Sequence, residues 1–175
     1  MPNNTYRAAV ITISDKCSTG EREDISGKLI QEIVETAGYN VTIKMLIPDE
    51  QNLIEKELKR LCDEGLADLI LTTGGTGFSP RDRTPEATIA AAERLAPGIA
   101  EAMRMQSLHF TKRAMFSRGV AAIRGKALIV NLPGSPKAVR ENLEYIIFEL
   151  KHGLDILCGN DGECAKPPTT VSSQP

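Results

Sequence analysis

Four short runs dense in Val, Ile and Leu constrain this chain more than any other feature. They are Tyr6–Ser14 (YRAAVITIS), Val41–Ile47 (VTIKMLI), Ala67–Thr73 (ADLILTT) and Lys126–Asn131 (KALIVN). Their apolar alternation is only partial, the pattern of strands buried on both faces. Between the first two runs, SGKLIQEIVETAG places Leu29, Ile30, Ile33, Val34 and Ala37 at helical spacing, with Gly38 as a stop. Between the next two, EQNLIEKELKRLCDEG does the same with Leu53, Ile54, Leu58, Leu61 and Cys62, closed by Gly65. Strands and helices alternating at intervals of about thirty residues predict right-handed βαβ crossovers and a parallel sheet.

The remaining helices are expected over Glu86–Ala96, Gly98–Phe110 and Pro136 to near Cys158. Thr84 is the expected N-cap of the first of these, with Pro85 at its first helical position. At 175 residues, and with no internal repeat, the chain reads as one domain over 6–158 between an N-terminal tail (1–5) and a disordered tail (159–175). A net charge of −2 argues against a nucleic-acid partner bound through a basic surface. No apolar run approaches ~18 residues, so no membrane span is expected. The opening MPNNTYR lacks a signal-peptide core, which points to the cytoplasm. The four cysteines form no CxxC pair and read as reduced thiols.

In a parallel sheet the C-terminal strand ends share one edge, where ligands bind. The first strand delivers Ser14, Asp15 and Lys16 to that rim, and the second delivers Asp49. The third delivers the loop GGTGFSPRD, with Gly74, Gly75, Thr76, Gly77 and Asp82, and the fourth NLPGSPK, from Asn131 through Pro133, Gly134 and Ser135. Each piece has a plainer reading: Asp49 and Ser135 are placed to cap the following helices, Asp15 to form a turn, and Arg118 to be solvated. An acidic residue in a glycine-rich phosphate loop nevertheless needs a reason. Asp49 and Asp82, expected from neighbouring strands within ~5 Å, would repel by ~3 kcal/mol at an effective dielectric near 20. A cation between them removes that conflict, and Mg²⁺ is commonly held by one or two carboxylates plus substrate phosphates. The rim therefore suits a metal–nucleotide complex, with backbone N–H groups of the glycine loop meeting phosphate oxygens.

The stretches TTGGTGFSPRDRTPEAT, LIPDE, AMFSR and LIVNLPGSPKA together resemble the molybdopterin adenylyltransferase family, over about Tyr6 to Cys158. Arg83 departs from the smaller residue expected at its position. The resemblance implies a three-layer α/β/α sandwich with a mostly parallel sheet, and a homotrimer. It implies Mg²⁺-dependent transfer of AMP from ATP to the terminal phosphate of molybdopterin, the product passing to a molybdate-insertion protein. Asp49 and Asp82 match the family's essential aspartates and would hold the metal. Ser14, Gly74, Gly75, Thr76, Gly77, Ser117 and the Asn131–Ser135 turn match its ligand-binding positions. Asp15, Thr84 and Arg118 complete the candidate set. The glycine loop and the Asn131–Ser135 turn are expected to hold the nucleotide, and Ser14 and Ser117, with Arg118, the pterin phosphate.

Two other classes compete. A non-catalytic molybdopterin-binding or scaffold protein of the MoaB type shares the GGTG loop. A dinucleotide-dependent oxidoreductase is disfavoured, because no GxGxxG follows the first strand.

Overall fold

A computed structural model describes residues 5–160. The tail assignments at 1–4 and 161–175, with Cys164, lie outside the described residues. The first half follows the expected alternation: β1 (Arg7–Ile13), a short helix α1 (Asp15–Ser18), α2 (Ile25–Thr36), β2 (Asn40–Ile47), α3 (Gln51–Asp63) and β3 (Leu69–Thr73). The second half runs α4 (Thr84–Ala91), β4 (Arg94–Leu95), α5 (Pro97–Leu108), a 3₁₀ turn (Lys112–Phe116), β5 (Ala121–Arg124), β6 (Ala127–Leu132) and α6 (Pro136–Cys158).

The six strands form one sheet in the order β2-β1-β3-β6-β5-β4. The pairs β1–β2, β1–β3 and β3–β6 are parallel, while β5–β6 and β4–β5 are antiparallel. Strand alternation divides the apolar side chains between two cores. Ala8, Val10, Leu69, Leu71, Leu128 and Val130 pack on the face covered by α2, α5 and α6. Ala9, Ile11, Ile13, Ile70 and Ile129 pack on the other, under α3 and α4. The result is an α/β/α sandwich, mostly parallel as expected.

Three local expectations are corrected. The helix through Ala96 stops at Ala91, because Glu93 N–H and Ala96 N–H donate to Ile123 O (3.0 Å) and Ala121 O (2.8 Å). That pairing makes Arg94–Leu95 an edge strand, and ladder bonds outweigh the segment's helix propensity. The N-cap position of α4 is Arg83 rather than Thr84, and no side chain caps it. Finally, the strands delivering Asp49 and Asp82 are not neighbours, since β1 lies between β2 and β3.

Candidate functional site

The ends of β1, β2, β3 and β6 meet at one edge of the sheet, where two turns abut. The Gly74–Gly77 loop leaves β3 with Gly74 at φ +96° and Gly75 at φ +63°. A side chain at Gly74 would place its Cβ 2.2 Å from Ile13 O, so only glycine fits there. The Pro133–Ser135 turn leaves β6 and lies so close that a Cβ on Gly134 would stand 3.4 Å from Gly74 Cα. Hydroxyls pin both turns: Thr73 donates to Pro133 O (2.7 Å), Ser26 to Gly134 O (2.8 Å) and Thr84 to Gly74 O (2.9 Å). The two turns form a ridge, and a cavity opens on each side of it.

The first cavity, about 550 Å³, is lined by Ser14, Asp49, Gly74, Gly75, Asp82, Gly134 and Ser135. Asp49 and Asp82 thus converge despite the intervening strand, because the loop after β3 crosses over the end of β1. The Asp49 carboxylate stands next to the loop, 3.1 Å from where a Cβ on Gly75 would lie. The carboxylate of Asp82 lies 2.9 Å from the corresponding point at Gly77, and it accepts the Ser79 amide (3.0 Å). Burial pushes the Asp49 carboxyl above its ordinary value, and the charges of Asp15 and Asp82 add to this against the Asp15 amide and Arg81. Asp49 does not cap α3, whose N-cap position is Glu50. Ser135 does cap α6, accepting from Ala138 N–H.

Asp15 turns out to support Asp49. Its own carboxyl is held below the ordinary range by the Arg81 guanidinium and the Asp49 amide. Arg81 bridges Asp15 (2.9 Å) and Glu50 (2.8 Å), so its charge is spent inside the acidic rim.

The second cavity, about 270 Å³, lies between α5, the 3₁₀ turn and the start of α6. Thr76, Gly77, Ser117, Asn131 and Pro133 line it, with Ala100, Met103 and Phe116 giving it an apolar wall. Asn131 is buried and committed to the frame: its amide donates to Thr72 and Thr88 hydroxyls (2.9 Å each) and accepts Val120 N–H (3.2 Å). Ser14 and Ser117, grouped on one ligand from the sequence, therefore face different cavities. Arg118 is not a free surface arginine, because its guanidinium binds Gly77 O, Asp82 O and Glu86.

A family model described as "Probable molybdopterin binding domain" matches residues 9–152. The chain belongs to this molybdopterin-binding family. A molybdopterin adenylyltransferase of Helicobacter pylori is 44% identical over 158 residues, covering 89% of this chain and 90% of that protein. One from Escherichia coli is 46% identical over 146 residues, covering 82% of this chain and 74% of that protein. Among solved structures, the molybdopterin biosynthesis enzyme MoaB of Thermus thermophilus superposes with a TM-score of 0.84 at 46% identity, covering 89% of this chain and 98% of that one.

On this family scaffold several further polar residues line the two cavities. Arg22 reaches Ser14 Oγ (3.3 Å), and Asp24 caps α2 by accepting Gly27 N–H (2.8 Å). In the second cavity Ser107 and Asn142 bond each other, and Arg104 holds Gly119 O (2.8 Å). Only Asp24 carried a readable signal, an Asp three residues before a helical glycine. The others depend on which helix faces come together. Among the described residues, no three His, Cys, Asp or Glu side chains cluster as a metal site, and no helix is long and apolar enough to cross a membrane.

Proposed function

We propose that this chain adenylylates molybdopterin, joining its terminal phosphate to the AMP of ATP and releasing pyrophosphate. The observation that carries the reading is the pairing of Asp49 and Asp82 in one cavity, across a glycine ridge from a second, mainly apolar cavity. Two carboxylates fit Mg²⁺ that arrives with a nucleotide, whose phosphates complete its shell, better than a resident ion held by protein alone. The strain of placing a half-buried Asp49 beside Asp15 and Asp82 is relieved by such a cation. Bound there, Mg²⁺ would neutralise phosphate charge and help orient the leaving pyrophosphate.

The chain's own residues supply the rest. The triphosphate would lie in the first cavity against backbone amides of Gly74–Gly77, and the pterin against the apolar wall of the second. The two phosphates then meet over the ridge. The molybdopterin phosphate attacks the α-phosphorus, a new P–O bond forms, and the bond to the β-phosphate oxygen breaks. The nucleophile is already anionic at neutral pH, so no strong base is required. The barrier is the approach of two anions, which alignment and charge neutralisation lower. That accounts for a site of glycines and aspartates without a catalytic histidine.

A non-catalytic binding role is not favoured, because relatives 44–46% identical over most of the chain are adenylyltransferases by name. Exposed Phe78, Met105, Phe110 and Met115 support self-association, proposed as a homotrimer. Cytoplasmic location and hand-over of product to a molybdate-insertion protein complete the proposal. Incubation with ATP, Mg²⁺ and molybdopterin should release pyrophosphate in proportion to molybdopterin. Absence of release, with both ligands bound, would defeat the catalytic reading.

A further inference from the structure

Arg118 ties the loop of the first cavity to the wall of the second. It follows Ser117, which lines the second cavity, and its amide donates to Thr76 O (2.9 Å). Its guanidinium donates from Nε to Gly77 O (2.7 Å) and from Nη2 to Asp82 O (2.6 Å), while Nη1 pairs with Glu86 on α4. These contacts bracket the segment 77–82 at both ends. Between those ends the backbone bonds are internal: Asp82 N–H to Ser79 O (2.9 Å), and Ser79 N–H to the Asp82 carboxylate (3.0 Å). A segment bonded mainly to itself keeps its shape yet needs an outside anchor to fix its aim. Besides the Phe78–Phe116 ring contact, the side-chain anchors are Arg81, bridging to Asp15 and Glu50, and Arg118.

Glu86 supports the same conclusion. Its Oε2 is buried without a hydrogen-bond partner among the described residues, while its other oxygen serves Arg118. Native structures leave few such atoms unpaired, and here the charged pairing with the arginine is the compensating contact of this carboxylate. An arginine fork also fits the task better than an ammonium, because its fixed donors reach two carbonyls and a carboxylate at once.

We propose that Arg118, braced by Glu86, is a positioning residue that aims the Asp82 carboxylate by clamping both ends of the 77–82 segment. Its importance for activity rests on the metal-holding role of Asp82, but the clamp itself is a property of the free protein. The competing role is direct contact with a substrate phosphate, and the two roles separate in experiment.

Amide hydrogen exchange of the full chain without ligands should be compared between wild type, Arg118→Gln, Arg118→Lys and Glu86→Gln. The Leu71 amide in β3 serves as a reference for global opening. Arg118→Gln should speed exchange at Ser79 and Asp82 about tenfold relative to Leu71, with Arg118→Lys intermediate. Turnover of Arg118→Gln should fall mainly in kcat, with KM for both substrates within about threefold. Should Arg118→Gln fail to fold, Glu86→Gln, which keeps both carbonyl contacts, should still speed Ser79 exchange about threefold. Unchanged exchange at Ser79 and Asp82, with a raised KM for molybdopterin, would overturn the clamp in favour of a ligand contact. A wild-type protein that releases no pyrophosphate would instead defeat the functional reading and leave the exchange result to decide the clamp.

Discussion

Asp15 and Asp49 hold each other through reciprocal hydrogen bonds: the Asp15 amide donates to Asp49 Oδ2 at 2.9 Å, and the Asp49 amide donates to Asp15 Oδ1 at 3.0 Å. The two residues lie two positions beyond the ends of β1 and β2, adjacent parallel strands, so the bonds lock one strand exit to the next. Asp15 is fixed in turn by Arg81, and the Asp49 carboxylate is thereby presented at the Gly75 edge of the first cavity. Asp15 acts through Asp49.

Asp15→Ala should therefore raise the Mg²⁺ concentration for half-maximal turnover about tenfold, the cost of roughly one charge-assisted hydrogen bond. The KM for molybdopterin should be unchanged, since Asp15 is absent from the second cavity. Turnover measured against Mg²⁺ checks this. An unaltered metal dependence would remove Asp15 from the site's support.

Asp49→Asn and Asp82→Asn should both fold, because an asparagine oxygen still accepts the amides of Asp15 and Ser79. Each should lose on the order of 10²–10³ in rate, the usual effect of deleting one preorganised electrostatic group. Near-wild-type turnover in Asp82→Asn would end the metal-holding interpretation.

Asp49 also makes a prediction about stability. Its folded-state carboxyl titrates above the ordinary value because it is buried and stands near Asp15 and Asp82. The folded protein then holds a proton that the unfolded chain has released, so folding stability falls as pH rises across that window. At neutral pH Asp49→Asn should melt above wild type, because the asparagine amide places no charge beside Asp15 and Asp82. The gain should vanish below the ordinary carboxylate range, where Asp49 is protonated in both states. Melting curves from acid to neutral pH check it, and a variant less stable than wild type at pH 7 would contradict the sign.

The parts of this fold that depend on local pattern were legible in the sequence: the strands of the parallel half, the helices between them, and the rim turns. What depended on tertiary pairing was not. Ala121–Arg124 is too short to announce itself, and Arg94–Leu95 sits in a run of helix formers that only its pairing with Ala122 and Ile123 converts to a strand. The convergence of Asp49 and Asp82 does not come from adjacent strands, since β1 separates β2 from β3 and the loop supplies the reach. No sequence rule places Ser14 and Ser117 on opposite sides of the ridge, because that follows from where the 3₁₀ turn docks against α5.

The ridge glycines should differ sharply in tolerance. A Cβ on Gly75 would stand 2.3 Å from Thr84 Oγ1, at φ +63°, so Gly75→Ala should damage the loop itself. A loss of ~1–3 kcal/mol in stability is expected there. At Gly134 a Cβ meets the Gly74 backbone, Cα at 3.4 Å and N at 3.9 Å, both ordinary contacts, so Gly134→Ala should leave the melting temperature nearly unchanged. The added methyl narrows the notch between the two turns and should weaken ATP binding. Calorimetry with ATP and thermal melting of both variants separate steric exclusion from misfolding. A large stability loss in Gly134→Ala would show that the turns have no room between them.

The two serines provide the sharpest test of which ligand lies where. Ser14 lines the first cavity with Asp49 and Gly75, and Ser117 lines the second with Thr76 and Phe116. Their hydroxyls differ in what else they do. Ser14 Oγ accepts Cys17 N–H (3.2 Å) as the cap of α1 and also receives Arg22 (3.3 Å), so its loss loosens α1 as well as any phosphate contact. Ser14→Gly limits that confusion, because glycine is a tolerable N-cap at a cost of only a few tenths of a kcal/mol. A neutral hydrogen bond contributes ~1 kcal/mol, or about fivefold in affinity. Ser14→Gly should thus weaken ATP about fivefold and leave molybdopterin nearly untouched, whereas Ser117→Ala should do the reverse. Titration of each variant with each ligand separately measures all four affinities. If both substitutions weaken the same ligand, one substrate spans the ridge, and the assignment of one cavity to each substrate is wrong.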